Sequence, residues 1–286
     1  MIFNVACGQF SPEKAEVERN LGRIAEIILQ AIAESVDLLV LPETCTTGYF
    51  LEGGVLESSL SGEDLVRELS SRLQGKVERP LDVVVGFYEN FQGTLHNSAA
   101  YLEITGSGVT LRETYRKFFL PTYGVFDEER FITRGREICV FETRFGKVAM
   151  LICEDVWHGI LPTLCAVRGA QLLLVPAASP ARGFGGEDIG NHSRYQRLFR
   201  AISEEHGVYC VNAQLCGFEG GKGFVGGSMI VDPVGKIIAQ APLAEDSLVV
   251  APVDPDMVTI TRAQFPLIAD LQSVWSDVQR IVAEPY

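Results

Sequence analysis

Apolar positions fall in two rhythms along the chain: short unbroken runs, and longer stretches with an apolar residue every third or fourth place. The N-terminal run 1–7 reads as a strand, and residues 15–35 carry Val17, Leu21, Ile24, Ile28 and Ile32 along one helical face. Residues 37–41 then read as a buried strand. A second helix is expected after Ser61-Gly62-Glu63-Asp64. Further strands are expected at 82–87, 98–104, 109–115, 146–152, 171–175, 208–212, 226–231 and 247–253, with helices near 160–168 and 193–206. Strands and helices alternate without repeat or low-complexity linker, which predicts a layered α/β domain. Residues 267–282 keep Leu267, Leu271, Val274, Trp275, Val278 and Ile281 on one helical face, to be covered by the chain's own core or by another subunit.

Composition narrows the class. With 286 residues and 47% apolar content, the chain can bury roughly three quarters of its unfolded surface, in one large α/β domain or two smaller ones. A net charge of −13 argues against nucleic acid as the main partner, since phosphate contacts need clustered cations. The seven cysteines are odd in number, form no CxxC pair and mostly sit in apolar runs, which argues against a disulfide framework. Cysteines and histidines also lack the spacing of a zinc site. The N-terminus has no basic n-region, and no apolar stretch approaches the ~18 residues of a membrane span. The expectation is a reducing, cytoplasmic setting with no membrane.

The polar residues that end apolar runs carry the chemistry. Val148-Ala149-Met150-Leu151-Ile152 stops at Cys153-Glu154-Asp155, which reads as a buried strand followed by a helix start with Asp155 as N-cap. Cys153 would then face a helix N-terminus, whose positive end lowers a thiol pKa; a buried structural thiol is the alternative. Glu43 follows the run 38–42, Lys117 follows the strand ending at Tyr115, and Ser179 follows 172–175. Ligands gather at the carboxyl ends of strands in α/β sheets. Taken singly, Glu43 and Lys117 read as surface residues. Together, a Glu can take a thiol proton while a Lys stabilises thiolate and oxyanion, with the backbone N–H after Cys153 as a second oxyanion donor. Adjacent acids oppose a thiolate, so Glu154 and Asp155 either point away or one of them binds a cationic group on the substrate.

Leu41-Pro42-Glu43 with Thr47-Gly48-Tyr49, then Tyr115-Arg116-Lys117-Phe118-Phe119-Leu120-Pro121, then Cys153-Glu154-Asp155 match in order and spacing the Glu-Lys-Cys pattern of the nitrilase (carbon-nitrogen hydrolase) superfamily. The chain resembles that superfamily over nearly its whole length. Leu120-Pro121-Thr122-Tyr123-Gly124-Val125-Phe126-Asp127-Glu128-Glu129-Arg130-Phe131, with Cys153-Glu154-Asp155-Val156-Trp157, resembles most the glutaminase domain of glutamine-dependent NAD synthetases.

The resemblance implies a four-layer αββα sandwich: a single carbon-nitrogen hydrolase domain over 1–286, with 255–286 a C-terminal tail at a subunit interface and a homodimer or larger assembly. It makes Cys153 the nucleophile, Glu43 the general base and Lys117 the oxyanion stabiliser, with Glu128 as a second, assisting glutamate. Tyr123 and Glu154 would contact a glutamine substrate, Glu154 through the α-ammonium, and Ser179 and Arg182 would hold its carboxylate. The implied reaction passes through a cysteine thioester and releases ammonia from glutamine or a similar small amide, without metal or cofactor. Nitrilase or carbamoyl-amine hydrolysis, a Cys-His hydrolase using His192 or His206, and a non-catalytic binding subunit are the alternatives. The pyrophosphate loop of the synthetases, Ser-Gly-Gly-x-Asp-Ser in type, has no counterpart here. The expectation is therefore an ammonia supply to a separate synthetase subunit, or a freestanding amidase. Glycine-rich 181–190 reads as a mobile loop at the mouth rather than a phosphate cradle, and 217–227 as a hairpin rather than a site.

Overall fold

The computed structural model describes residues 2–182, 184, 185 and 188–284. The first five strands are β1 (Phe3–Gln9), β2 (Leu38–Val40), β3 (Leu81–Phe91), β4 (Thr94–Thr105) and β5 (Gly108–Arg116). They are followed by β6 (Cys139–Thr143), β7 (Gly146–Met150), β8 (Leu172–Ala177), and the short β9 (Phe184–Gly185) and β10 (Asp188–Ile189). The remainder are β11 (Tyr209–Gln214), β12 (Cys216–Glu219), β13 (Lys222–Val225), β14 (Met229–Val231), β15 (Ile237–Gln240) and β16 (Ser247–Val253). Helices are α1 (Val17–Ala33), α2 (Val55–Ser58), α3 (Gly62–Leu73), α4 (Ile160–Val167), α5 (Gly190–His206), α6 (Asp256–Gln264), α7 (Leu267–Ser273) and α8 (Trp275–Ala283).

Two six-stranded sheets result, in the orders β16-β1-β2-β3-β4-β5 and β15-β14-β11-β8-β7-β6. Each has a parallel centre, β1-β2-β3 in one and β7-β8-β11 in the other, with antiparallel flanks. Side-chain alternation divides the first sheet. Val5, Cys7, Leu38, Val40, Val84 and Tyr101 point into the layer shared with the second sheet, while Ala6, Leu39, Leu41, Val83 and Val85 face α1 and α3. Burial on both faces is why these strands read as unbroken apolar runs. On the far side of the second sheet, Leu161 and Cys165 of α4 and Tyr195, Phe199 and Ile202 of α5 complete the core. The expected αββα sandwich is the fold.

Local signals placed most elements within a few residues. Leu21, Ile24, Ile28 and Ile32 are the buried face of α1. Ser61 opens α3 with a capping box, its Oγ accepting from the Asp64 N–H at 3.0 Å while Asp64 Oδ2 accepts from the Ser61 N–H at 3.3 Å. The hairpin expected at 217–227 is present as β12 and β13.

β6 and β15 were not anticipated; both are half-buried edge strands, so neither carries an unbroken apolar signature. The single helix expected over 267–282 is two helices, α7 and α8, with Val274 leaving helical geometry at φ −110 and ψ 11. Its expected apolar face is half open: Leu267, Val274 and Ile281 are exposed, while Leu271, Trp275 and Val278 are half-buried.

Candidate active site

The loops after β2, β5, β7 and β8 converge at one edge of the sandwich, and each delivers one expected residue. After β2 the chain turns sharply against β3, close enough that a Cβ on Gly86 would stand 2.2 Å from the Pro42 carbonyl oxygen and 2.7 Å from the Glu43 Cα. Only glycine fits there, and its absence of side chain lets Glu43 sit fully buried. Lys117, just past β5, is tied on both sides: its N–H donates to the Asn97 carbonyl at 2.9 Å and its carbonyl accepts from the Gly135 N–H at 2.7 Å.

The Lys117 ammonium donates to Glu43 Oε1 and to Glu128 Oε1, each at 2.7 Å. Asn97 Nδ2 donates to Glu43 Oε1 at 2.8 Å and to Glu128 Oε1 at 3.4 Å, and the Tyr49 hydroxyl donates to Glu128. One cation thus serves two buried carboxylates, with an amide and a phenol completing the cluster. Glu43 Oε2 and Glu128 Oε2 have no hydrogen-bond partner among the described residues. Burial favours loss of the Lys117 proton, yet the charges of Glu128, Glu43 and Cys153 outweigh it and hold the ammonium pKa well above its ordinary value. Burial pushes Glu128 up to about 7, with Lys117 opposing and Glu43 reinforcing the shift.

Cys153 opens a 3₁₀ turn, Cys153–Trp157, with φ +45, a left-handed conformation that costs an L-residue with a side chain roughly 1–2 kcal/mol. Asp155 fixes that turn. Its carboxylate accepts from the Ile152 N–H at 3.0 Å, from the Phe118 and Phe119 N–H groups at 3.1 and 2.8 Å, and from the Tyr115 hydroxyl at 2.7 Å. Asp155 therefore joins the lysine-bearing segment to the cysteine turn, and burial raises its pKa to about 6. The expected N-cap role is corrected: Asp155 lies inside the turn and reaches backwards. The expected thiol activation by a helix N-terminus is corrected too, because only a single 3₁₀ turn follows Cys153 and α4 starts at Ile160. Burial and the charge of Glu43 hold the thiol pKa well above its ordinary value, against the pull of Lys117 and hydrogen bonds from Tyr195 and the Ala178 backbone. The Tyr195 hydroxyl lies 3.3 Å from Cys153 Sγ.

Cys153 is the floor of a cavity of about 670 Å³ whose walls include Tyr123, Glu154, Trp157, Ser179 and Arg182. All four expected substrate contacts therefore share one space. The Tyr123 hydroxyl donates to the Glu154 carboxylate, 2.9 and 3.0 Å from its two oxygens, and His158 Nε2 is 3.7 Å from it. The Ser179 Oγ accepts from Asn191 Nδ2 at 2.5 Å. The Arg182 guanidinium stacks 4.7 Å from the Phe126 ring centre, and its buried Nη2 has no hydrogen-bond partner among the described residues. Of the loop expected at 181–190, Gly183, Gly186 and Glu187 lie outside the described residues. The histidines offered as alternative bases find other partners: His206 Nε2 is 3.3 Å from Thr163 Oγ1, and His192 Nε2 is 2.9 Å from Gln240 Nε2. Sequence reading missed Asn97, Tyr195 and the role of Asp155. Asn97 alone left a trace, as a polar residue at the start of the run 98–102.

The raised carboxyl pKa values carry a stability consequence. Folded Glu128 and Asp155 hold their protons more tightly than the unfolded chain, so the stability they contribute is present below the ordinary carboxylate range and is lost as pH rises through about 6 and then about 7. Tm is expected to fall between roughly pH 4 and 7, with Glu128→Gln flattening that slope, as thermal unfolding at stepped pH would record.

A carbon-nitrogen hydrolase family model matches residues 4–263. A glutamine-dependent NAD(+) synthetase of Acinetobacter baylyi is 30% identical over 247 residues, covering 86% of this chain but 43% of that protein, so the chain spans less than half the length of this curated relative. An amidase of Nesterenkonia sp. superposes with a TM-score of 0.73 and 27% identity over 92% of this chain and 94% of its own. Another of its structures has acrylamide added to the active-site cysteine. A carbon-nitrogen hydrolase of Helicobacter pylori shares the fold over the full length of both chains, with a TM-score of 0.83 and 20% identity. No helix among the described residues is long and apolar enough to cross a membrane.

Proposed function

This chain belongs to the carbon-nitrogen hydrolase family, and from that premise we propose that it releases ammonia from glutamine or a similar small amide through a thioester on Cys153. The observation that carries this reading is the shared Lys117 ammonium, 2.7 Å from both Glu43 and Glu128 and acting electrostatically on the Cys153 thiol. A thiol held neutral by burial has to lose its proton as it attacks, which demands a base in place beforehand. Glu43 takes that proton while Sγ adds to the amide carbon. The oxyanion is held by the Lys117 ammonium and the Glu154 backbone N–H. Glu43 then passes the proton to the departing nitrogen, and ammonia leaves a thioester behind. In the second half Glu43 takes a proton from water, the resulting hydroxide attacks the thioester, and collapse releases the acid while Sγ regains a proton. Glu128 keeps Lys117 charged and in place throughout.

In the cavity, Glu154 supplies the negative partner for an α-ammonium, and Arg182 together with Ser179 supplies donors for a carboxylate. Glu154→Gln is expected to raise KM for glutamine by roughly 10–100-fold, the scale of one charge-assisted hydrogen bond. Hydrolysis of a simple aliphatic amide should be unchanged in the same variant, and steady-state kinetics on both substrates checks the pair.

The full-length match to an amidase favours a second reading, in which the chain works on simple amides without a partner. Supply of ammonia to a separate synthetase subunit is the first reading's corollary. Both treat 1–286 as one catalytic unit, and the exposed Leu267, Val274, Ile281 and Val282 support the tail as a contact within a homodimer or larger assembly. Ammonia release measured side by side from glutamine, asparagine, aliphatic amides, carbamoyl amines and nitriles separates the readings. Turnover of none of them would leave the binding-subunit alternative.

A further inference from the structure

The hairpin formed by β12 and β13 carries a buried acid that the proposed chemistry does not use. Glu219 is 4% exposed, and both its oxygens face the loop after β2. The Tyr49 N–H donates to Oε1 and Oε2 at 3.0 and 2.9 Å, and the Phe50 N–H donates to Oε2 at 2.8 Å. The loop is shaped to receive this carboxylate: Gly48 has φ +79, and a Cβ there would stand 2.7 Å from Glu219 Oε1. The Tyr49 carbonyl is held on its other side by the Tyr88 hydroxyl at 2.8 Å. Its backbone is clamped at both ends, its ring packs edge-on against Phe50, Phe126 and Phe224, and its hydroxyl ends on Glu128.

The same hairpin grips the opposite wall of the cavity. The Val225 N–H donates to the Ser179 carbonyl at 3.1 Å, and the Ala181 N–H donates to the Gly223 carbonyl at 2.8 Å. Phe224 stacks on Phe50 at 5.4 Å, and the Lys222 ammonium sits 4.1 Å from the Phe50 ring centre. One hairpin thus holds the loop that ends on Glu128 and the strand end that carries Ser179.

We propose that Glu219 is a positioning residue for the hydrolysis: by binding the Tyr49 and Phe50 N–H groups it aims the Tyr49 hydroxyl at Glu128, and through Glu128 sets the charge balance around Lys117 and Glu43. The inference rests on the reading of Glu43, Lys117 and Glu128 given above. The charged groups facing Glu219 are Lys14 and Lys222, and Lys222 is shared with Glu52 at 4.0 Å. Those facing Glu128 are Lys117, Glu43 and Tyr49, with Tyr88 close enough to feel its charge. A hydroxyl donated to Glu128 favours the carboxylate, so losing it lets Glu128 keep its proton to higher pH.

The test uses Glu219→Ala, Glu219→Gln and Tyr49→Phe in the full chain, with kcat/KM for the hydrolysed amide followed against pH. Glu219→Ala and Tyr49→Phe are each expected to move the acid limb upward by about 1–2 pH units, the equivalent of one hydrogen bond to a charged group. kcat should fall while KM holds. Glu219→Gln keeps one acceptor oxygen and should fall between wild type and Glu219→Ala. The double variant Glu219→Ala/Tyr49→Phe should shift no further than Tyr49→Phe alone, because the two residues act in series. Cys153 alkylation by iodoacetamide against pH needs no substrate, and its profile should change in the same two single variants. A Glu219→Ala profile that coincides with wild type, a loss of folded protein with an unmoved limb, or a double variant with the sum of both shifts overturns the proposal. Should wild type turn over no amide, the proposed activity fails, and the alkylation profiles alone decide Glu219's role by the same comparison.

Discussion

Lys117→Ala is expected to abolish amide hydrolysis and to weaken the fold together. The Lys117 side chain is fully buried between Glu43 and Glu128, and the substitution leaves two carboxylates in the interior without their cation. Stranding one partner of a buried pair costs about 3–5 kcal/mol. Removing an oxyanion donor costs roughly 10²–10³ in kcat by itself, and losing the group that orders both glutamates deepens the deficit. The stability loss has a sign with pH. At alkaline pH Glu128 is charged with no cation beside it; as pH falls it takes up a proton, so the deficit relative to wild type shrinks. Chemical denaturation at acid and alkaline pH, beside ammonia release, checks both halves. A variant as stable as wild type at alkaline pH would contradict the electrostatic account of the cluster.

Cys153→Ala separates chemistry from folding. The loss in turnover should be on the order of 10⁶, the scale seen when a hydrolase nucleophile is removed, while stability stays close to wild type because the buried thiol is held by sulfur hydrogen bonds to Tyr195 and the Ala178 backbone, which are weak. Backbone conformation adds a finer expectation. At φ +45 alanine keeps the steric cost that cysteine bears and glycine does not. Cys153→Gly should therefore be more stable than Cys153→Ala by about 1 kcal/mol, although both are inactive. Equal stabilities would mean that the left-handed turn is not under strain.

The reach of the sequence follows from how local each signal is. Glu43, Lys117 and Cys153 were legible because each ends a strand, and strands buried on both faces write themselves as apolar runs. Glu128 emerged only through family resemblance, since nothing local marks an acid in a 3₁₀ turn as buried. Asn97 and Tyr195 act across the fold: Asn97 reaches Glu43 from 54 positions away, and Tyr195 reaches Cys153 from 42. Such pairings leave no periodicity to read. The hairpin at 217–227 shows the same limit from the other side, because its turn was predictable while the 170-position reach of Glu219 to Tyr49 was not.

The thiol itself was misjudged by magnitude. A helix terminus is worth about 0.3–1 kcal/mol at an exposed site, whereas full burial shifts a titratable group by up to 3–5 pKa units. Burial wins at Cys153, and the proposed nucleophile rests as a neutral thiol. The acids that follow it also divide their work. Asp155 turns inward to bind the backbone of Ile152, Phe118 and Phe119, and Glu154 turns to the cavity with Tyr123. Asp155 points away from the cavity and Glu154 lines it, and the structural role of Asp155 is the part that only tertiary contacts reveal.

The central claim is a covalent acyl group on Cys153. Wild-type protein mixed with a turned-over amide, quenched in acid within the first turnover and measured by intact and peptide mass, tests it most directly. The account predicts one added acyl mass per chain, confined to the peptide that carries Cys153 and formed together with the first equivalent of ammonia. Ammonia released in that first turnover without the adduct, or an adduct on any other residue, would contradict it.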